Sequence, residues 1–328
     1  MTRFIIHNIW LLDLLFFLVV PALLILVGYL IYRLGKARRT RRLPLSSKIL
    51  IISGLLISAL YAYGRFVGTR QLEVRHVELA FADLPASFDG YRLVQVSDLH
   101  LGSLPDGMLR SVVDSINAQK PDVILFTGDI INAKSDEMKP CLPELKRMKA
   151  PDGIFSVTGN HDYGYYETES AKEAYMDEGR VVSMEDELKW HVLLNDHWWL
   201  RRPDGSRIAI AGMEDVGEAP FSADHGDLTL TLRGMHRSDF VIMLEHNPDC
   251  WRSQILRHSH TQLTLSGHTH GGQISLFGLS PAALRYRCCE GLYTIADRHL
   301  YVSKGVGGAI PFRLGAKPEI VVITLKKK

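Results

Sequence analysis

Cysteine is scarce in this chain: of 328 residues only Cys141, Cys250, Cys288 and Cys289 are cysteine, and none forms a C-x-x-C pair. That spacing excludes a structural zinc motif and a thioredoxin-like redox centre. The adjacent Cys288 and Cys289 read as packing residues, with a disulfide left open if the domain lies outside the cytoplasm. A strong charge excess is also missing. A formal net charge of +2 and a pI near 8.3 leave too little basic surplus to neutralise a phosphate backbone, so nucleic-acid binding is not expected. Internal repeats and low-complexity tracts are absent, which removes repeat architectures.

What is present is hydrophobicity concentrated at one end. Hydrophobic residues are 46% and charged residues 23%, an ordinary globular balance once the first seventy residues are set aside. Residues 9–34 are almost continuously apolar, long enough to span about 30 Å of hydrocarbon as a helix. Asp13 lies near its start, where an interfacial carboxylate reaches water, and Pro21 predicts a kink. Residues 49–67 form a second apolar stretch with Ser53, Gly54, Ser58 and Gly64, small residues that allow close helix contact. The expectation is a retained transmembrane hairpin rather than a cleaved signal.

Between the two stretches lie Arg33, Lys36, Arg38, Arg39, Arg41, Arg42 and Lys48, against Arg3, Arg65, Arg70 and Arg75 on the outer flanks. The bias of basic residues toward cytoplasmic loops puts this short loop inside and the soluble domain outside, periplasmic or extracellular, as on a bacterial inner membrane. A cytoplasmic-facing domain is the alternative. The chain thus divides into a hairpin over 1–70 with a basic loop at 33–48, a linker and first strand over 71–88, and a domain over 89–328.

The domain begins as a strand–helix alternation. Strands are expected at 72–79, 91–97, 123–126 and 154–157, with helices at 106–119 and 143–149, an α/β pattern around a buried sheet. The second half reads as a series of short strands at 191–195, 198–200, 207–211, 240–244, 262–265, 273–276, 292–295, 299–303 and 320–325. Asp204-Gly205 marks a hairpin turn. So many strands predict two packed sheets with helices outside. Trp198 and Trp199 point to opposite faces of their strand, so at most one of them touches a bilayer or a lipid. The acidic stretch 214–227 reads as a solvated loop or a lid.

Each early strand ends in ligand-type residues: Asp98 and His100, then Gly128-Asp129, then Gly159-Asn160-His161-Asp162. Later come Glu245-His246-Asn247 and Gly267-His268-Thr269-His270-Gly271-Gly272. Ligands bind at the carboxyl ends of strands in α/β sheets, so these groups should converge. Singly each has an ordinary explanation as a cap, turn or core residue; five in order do not.

With these motifs the chain resembles the calcineurin-like metallophosphoesterase superfamily, and within it the membrane-anchored or exported branch that reads Asp-Leu-His-Leu-Gly, Gly-Asn-His-Asp and Gly-His-Thr-His-Gly-Gly-Gln. The resemblance runs from about residue 89 to 325 and implies a four-layer αββα sandwich behind the hairpin. It implies two metal ions, manganese, iron or zinc, one held by Asp98, His100 and His270 and the other by Asn160, His246 and His268, with Asp129 bridging. It further implies attack of a metal-bridging hydroxide on phosphorus. His161 would stabilise charge or protonate the leaving oxygen, with Asp162 orienting its ring. Relatives often carry Ser-Arg-Gly where this chain has Ser303-Lys304-Gly305, so Arg313 is left either to contact phosphate in its place or to form a structural salt bridge.

The implied activity is hydrolysis of a phosphoester or pyrophosphate bond in a phosphorylated small molecule or lipid-linked substrate, most simply by a phosphodiesterase. A pyrophosphatase acting on UDP-2,3-diacylglucosamine on the route to lipid A is the alternative, and it requires a cytoplasmic-facing site. An inactive membrane-anchored binding module is the contrasting class; it should have lost ligands, and here every ligand position is filled.

Overall fold

Alternation along single strands explains the layering. In β2 (Arg92–Val96), Leu93 enters one hydrophobic core while Val94 and Val96 enter another on the opposite face, and in β3 (Val123–Thr127) Val123 and Leu125 part company with Ile124 and Phe126 in the same way. Strands apolar on both faces need cover on both faces. The computed structural model, which describes residues 8–34, 44–168, 170–217 and 224–328, supplies it as two packed sheets with helices outside.

The first sheet has the order β1-β12-β2-β3-β4-β5, where β1 is Glu73–Phe81, β4 Ile154–Val157, β5 His191–Val192 and β12 Glu319–Lys327. Its strands from β2 to β5 run parallel, and β12 is antiparallel to β2. The second has the order β10-β11-β9-β8-β7-β6, built from β6 (Asp196–Arg201), β7 (Arg207–Gly212), β8 (Val241–Leu244), β9 (Leu263–Ser266), β10 (Gly291–Ile295) and β11 (Arg298–Val302). Leu93, Leu125 and Phe155 of one sheet meet Ile210, Ile242 and Leu265 of the other in the central core. Outside the first sheet, Val112, Val113 and Ile116 of a helix at Met108–Ala118 and Val181 and Met184 of a helix at Ala171–Glu187 close the second core. Outside the second, Trp251 and Ile255 do the same. The layers are α, β, β, α, as expected from the resemblance.

Helices α1 (Ile9–Arg33) and α2 (Leu45–Arg70) are each long and apolar enough to cross a membrane. Ser47 Oγ donates to the Gly28 carbonyl at 2.6 Å, and Gly54 packs on Pro21 and Leu24, so small residues do mark the contact. Asp13 accepts from Tyr61 at 2.7 Å and lies 3.4 Å from Arg65, a polar clasp at the end of the hairpin nearest the domain. Arg3, Lys36, Arg38, Arg39, Arg41 and Arg42 fall outside the described residues, as do 218–223 of the acidic loop.

Two expectations need correction, and one helix was not expected. No strand forms at 273–276, because Gln273 has a φ of 58° and Gly271 and Gly272 also have positive φ, a run of left-handed residues that turns the chain; isolated bridges join Ile274 to Leu314 and Leu276 to Leu279. In place of a helix over 143–149, 3₁₀ turns at Ser135–Cys141 lead into one α turn at Leu142–Leu145. The helix at Ala171–Glu187 carries no strong apolar stripe, and periodicity did not predict it. Trp199 packs into the outer core beneath the Arg207 guanidinium, 3.7 Å away, whereas Trp198 stays half exposed beside His191.

Candidate metal centre

The crevice lies where the carboxyl ends of β2, β3 and β4 face those of β8 and β9. Gln95, an amide facing the central core, ties the sheets together beneath it by donating to the Ser266 carbonyl at 2.9 Å. Five residues expected as ligands, Asp98, His100, Asp129, His268 and His270, adopt φ between 45° and 70°. Such backbone is costly for non-glycine residues and persists where surrounding structure holds it. Two glycines make room: a Cβ at Gly159 would overlap the Asp129 carboxylate, and one at Gly267 would overlap Ser97 Oγ and Asp98 Oδ2.

The side chains gather into two clusters with one shared member. Asp98, His100, Asp129 and His270 form the first; Asp129, His246 and His268 form the second. Asp129 Oδ2 lies 3.5 Å from His100 Nε2 and 3.2 Å from His246 Nε2, while its Oδ1 accepts from the His161 backbone at 2.8 Å. His100 Nε2 and His270 Nε2 are 3.3 Å apart, and His268 Nδ1 is 2.8 Å from Asn160 Oδ1 and 3.2 Å from His246 Nε2. Ring nitrogens facing one another at these distances make poor mutual hydrogen bonds but good shared donors to a cation.

Electrostatics point the same way. Burial pushes His100 and His270 well below the usual imidazole range and His268 down to about 3, so these rings are neutral and their lone pairs available. Burial raises the Asp98 carboxyl to about 7 although His246 pulls it down. Asp98 Oδ2 is buried without a hydrogen-bond partner. Burial would raise Asp129 as well, but His246, His161 and His100 beside it hold it well below the usual carboxylate range, and His246 is raised in return. An orphaned carboxylate oxygen beside the neutral imidazoles of His100, His268 and His270 fits divalent cations of the kind bound by nitrogen and oxygen.

His161 sits beside the clusters and its Nδ1 lies 2.6 Å from the Asn132 carbonyl. Its ring stacks on Tyr166 at 3.9 Å between centroids. Asp162 makes a different set of contacts from the one expected: it accepts from the backbone N–H groups of Asp129, Ile130, Ile131 and Gly159 at 2.8 to 3.2 Å, shaping the loop that presents Asp129. Ring orientation of His161 comes from Asn132 and Tyr166. Sequence reasoning did not single out Asn132, whose side chain also reaches His100 Nδ1 at 3.2 Å, or Tyr166, which accepts from Asn160 Nδ2 at 2.9 Å. Nor did it find Tyr286, whose hydroxyl is 3.0 Å from His268 Nε2. The aromatic run after Asp162 was the one available signal.

Lys304 pairs with Glu319 at 3.1 Å and with Glu73 at 3.7 Å, facing the β1 edge. Among the described residues Arg313 forms no salt bridge; its guanidinium donates to backbone carbonyls, including that of His270. Beside the second cluster opens a cavity of about 320 Å³ lined by Asn160, Asp215, Asn247, His268, Arg285 and Tyr286. Asp215 is buried, so the described start of the acidic loop belongs to the cavity wall. All four cysteines are free, and Cys288 packs in the outer core.

Comparison with known proteins places the sequence in a family. The family model described as calcineurin-like phosphoesterase matches residues 91–272. An uncharacterized metallophosphoesterase of Bacillus subtilis, YkuE, is 35% identical over 277 residues, 81% of this chain and 90% of that protein. A transmembrane protein with metallophosphoesterase domain from Danio rerio is 30% identical over 321 residues, 96% of this chain and 71% of its own length. A match over that share of the chain takes in α1 and α2. Among solved structures, a dimetal phosphatase from Danio rerio aligns with a TM-score of 0.39 at 14% identity, over 67% of this chain and 90% of the other.

Proposed function

The chain belongs to the calcineurin-like phosphoesterase family, and we propose that it cleaves phosphodiesters at a dinuclear centre made by Asp98, His100 and His270 on one side, Asn160, His246 and His268 on the other, and Asp129 between them. As a member it is a metal-dependent phosphoric ester hydrolase. The carrying observation is that one buried carboxylate, Asp129, belongs to both donor clusters. When bound, two such cations supply a water activated as nucleophile and a Lewis acid for a phosphoryl oxygen.

The protein's own groups supply the rest. His161 has Nδ1 committed to the Asn132 carbonyl, which leaves Nε2 to exchange a proton with the leaving oxygen. Burial holds the ring neutral at rest, and an arriving phosphate anion favours its protonated form. Tyr166 keeps the ring plane fixed by stacking. Arg285, on the cavity wall, offers a positive charge to the substrate phosphate.

Purified protein with manganese should hydrolyse bis-p-nitrophenyl phosphate faster than p-nitrophenyl phosphate and retain two metals per chain. Failure on both, together with failure on a nucleotide-diphosphate lipid, would return the chain to the class of binding modules. We place the domain on the outer face of the membrane; a topology reporter fused after Lys328 tests this, and a cytoplasmic result would move the UDP-2,3-diacylglucosamine pyrophosphatase reading ahead.

A further inference from the structure

An apolar groove of about 430 Å³ lies where the hairpin meets the domain, within the range of about 300–1,000 Å³ typical of small-molecule sites. Leu12, Phe16, Ile57 and Leu60 form its hairpin wall, and Ile274 and Ile310 face them from the domain. No charged side chain lines it. Gln273, the amide on its domain wall, donates to the Ile310 and Phe312 carbonyls at 2.6 and 3.1 Å and so ties that wall together. One wall therefore belongs to helices able to cross a bilayer. The other is continuous with the metal centre: Gly272 also lines the groove, two residues after His270, which bounds their Cα separation at roughly 7.6 Å.

The segment after Ile274 adds a separate observation. Within nine residues it exposes Leu276, Phe277, Leu279 and Leu284, the last at 93%, before returning to Arg285 and Tyr286 at the cavity by the second cluster. A concentration of large exposed apolar side chains on one loop marks a surface made to be covered. Next to two membrane-length helices, the cover of matching chemistry is the bilayer interface.

We propose that the substrate is a lipid phosphoester whose hydrocarbon chain occupies the groove between α1, α2 and the 272–274 segment, which sets its phosphate at the metal centre. The proposal rests on the phosphoesterase reading above and deepens it by naming the substrate class. A water-soluble ester leaves the groove unused, whereas each methylene buried there contributes about fourfold in affinity.

The test uses the full chain in phosphatidylcholine nanodiscs with manganese and a series of methyl, butyl and octyl p-nitrophenyl phosphates, which share one leaving group. The kcat/KM should rise at least about tenfold from methyl to octyl. In I57W, which fills the groove, the octyl-to-methyl ratio should fall to that set by partitioning into the disc, measured with a soluble phosphodiesterase in the same discs. A wild-type ratio no higher than that reference, or one that I57W leaves unchanged, overturns the proposal. Absence of turnover with every ester, methyl included, counts against the phosphoesterase reading instead.

A second readout tests the groove without turnover. Dodecyl phosphate carrying a chain-terminal diazirine should photolabel residues 272–274 and 310–312, and I57W should abolish that labelling. The corresponding dodecyl alcohol should label them at least about tenfold less. Equal labelling by alcohol and phosphate would identify a structural bilayer lipid in place of a substrate, and labelling confined to residues of α1 and α2 outside the groove wall formed by Leu12, Phe16, Ile57, Leu60 and Tyr61 would leave the groove empty; either result overturns the proposal.

Discussion

Arg313 holds the carbonyl of His270: its Nη1 donates there at 3.0 Å, while other donors of the same buried guanidinium serve the carbonyls of Gly305, Gly307 and Ala316. The backbone N–H of Arg313 donates to the Gly64 carbonyl at 2.9 Å. One residue thus joins the end of α2 to the loop of a histidine in the first donor cluster. A planar fork of five donors suits several carbonyls at once, which an ammonium cannot reproduce. Burial lowers the Arg313 pKa to about 10, which still leaves it charged at neutral pH.

Arg313→Lys should therefore leave buried carbonyls unpaired at a cost of about 1–3 kcal/mol and loosen His270. Thermal unfolding and elemental analysis check this together: a fall in Tm accompanied by loss of the metal from the first cluster is expected. Unchanged metal content with a lowered Tm would separate the tie from the metal centre.

Gly68 tests the same connection from the hairpin side. A Cβ there would overlap the carbonyl oxygen of Arg313, a backbone atom that cannot swing aside. Gly68→Ala should cost about 1–3 kcal/mol through overpacking. Full-length protein unfolded in nanodiscs should show it as a lowered Tm, and an unaltered Tm would mean that the hairpin and domain pack independently.

The layers and the convergence of the centre were legible in the sequence because both follow from period-two alternation and from ligand residues stationed at strand ends. Asp98, Asp129 and His246 needed no more than that. What was hidden depends on backbone. The left-handed φ of Gln273 removed an expected strand, and nothing in an alternating Gln-Ile-Ser-Leu pattern announces it. The His161 ring is held by the carbonyl of Asn132, an atom every residue has, so its position left no compositional trace. The helix at Ala171–Glu187 did leave one: Ser170 accepts from the N–H of Glu173, and that Ser-x-x-Glu pattern is a helix-start signal that apolar periodicity passes over.

His161→Ala should lower turnover by about 10²- to 10⁴-fold, since proton transfer is lost while the donor clusters stay complete. The expected profile is two metals per chain with the rate reduced. Loss of metal in this variant would make His161 a ligand and not a proton carrier.

Stability should depend on pH through Glu178, whose carboxyl burial raises to about 7, with Glu214 adding to the effect. An acid whose folded pKa lies above its unfolded one favours the folded state while protonated, so the contribution is present below about pH 4.5 and lost as pH rises through about 7. Glu178→Gln keeps the neutral form. It should match the parent at pH 4.5 and exceed it by about 1–2 kcal/mol at pH 8, after allowance for solvent screening. Denaturant unfolding at the two pH values measures the difference, and an equal gain at both would assign it to packing.

The closing pair of histidines offers the sharpest dissection of the centre. His268 and His270 are separated by one residue, yet His268 Nδ1 points to Asn160 and His246 while His270 Nε2 points to His100. Their positive φ values, 70° and 52°, accompany side chains turned toward different clusters. His268→Ala and His270→Ala should then each weaken a different metal, so that each variant retains about one ion per chain under conditions where the parent retains two. Because Asp129 serves both clusters, Asp129→Asn should weaken both at once. Elemental analysis of the three proteins distinguishes a shared bridge from two independent sites: equal residual metal in all three would argue that the clusters do not divide as Asp129 implies.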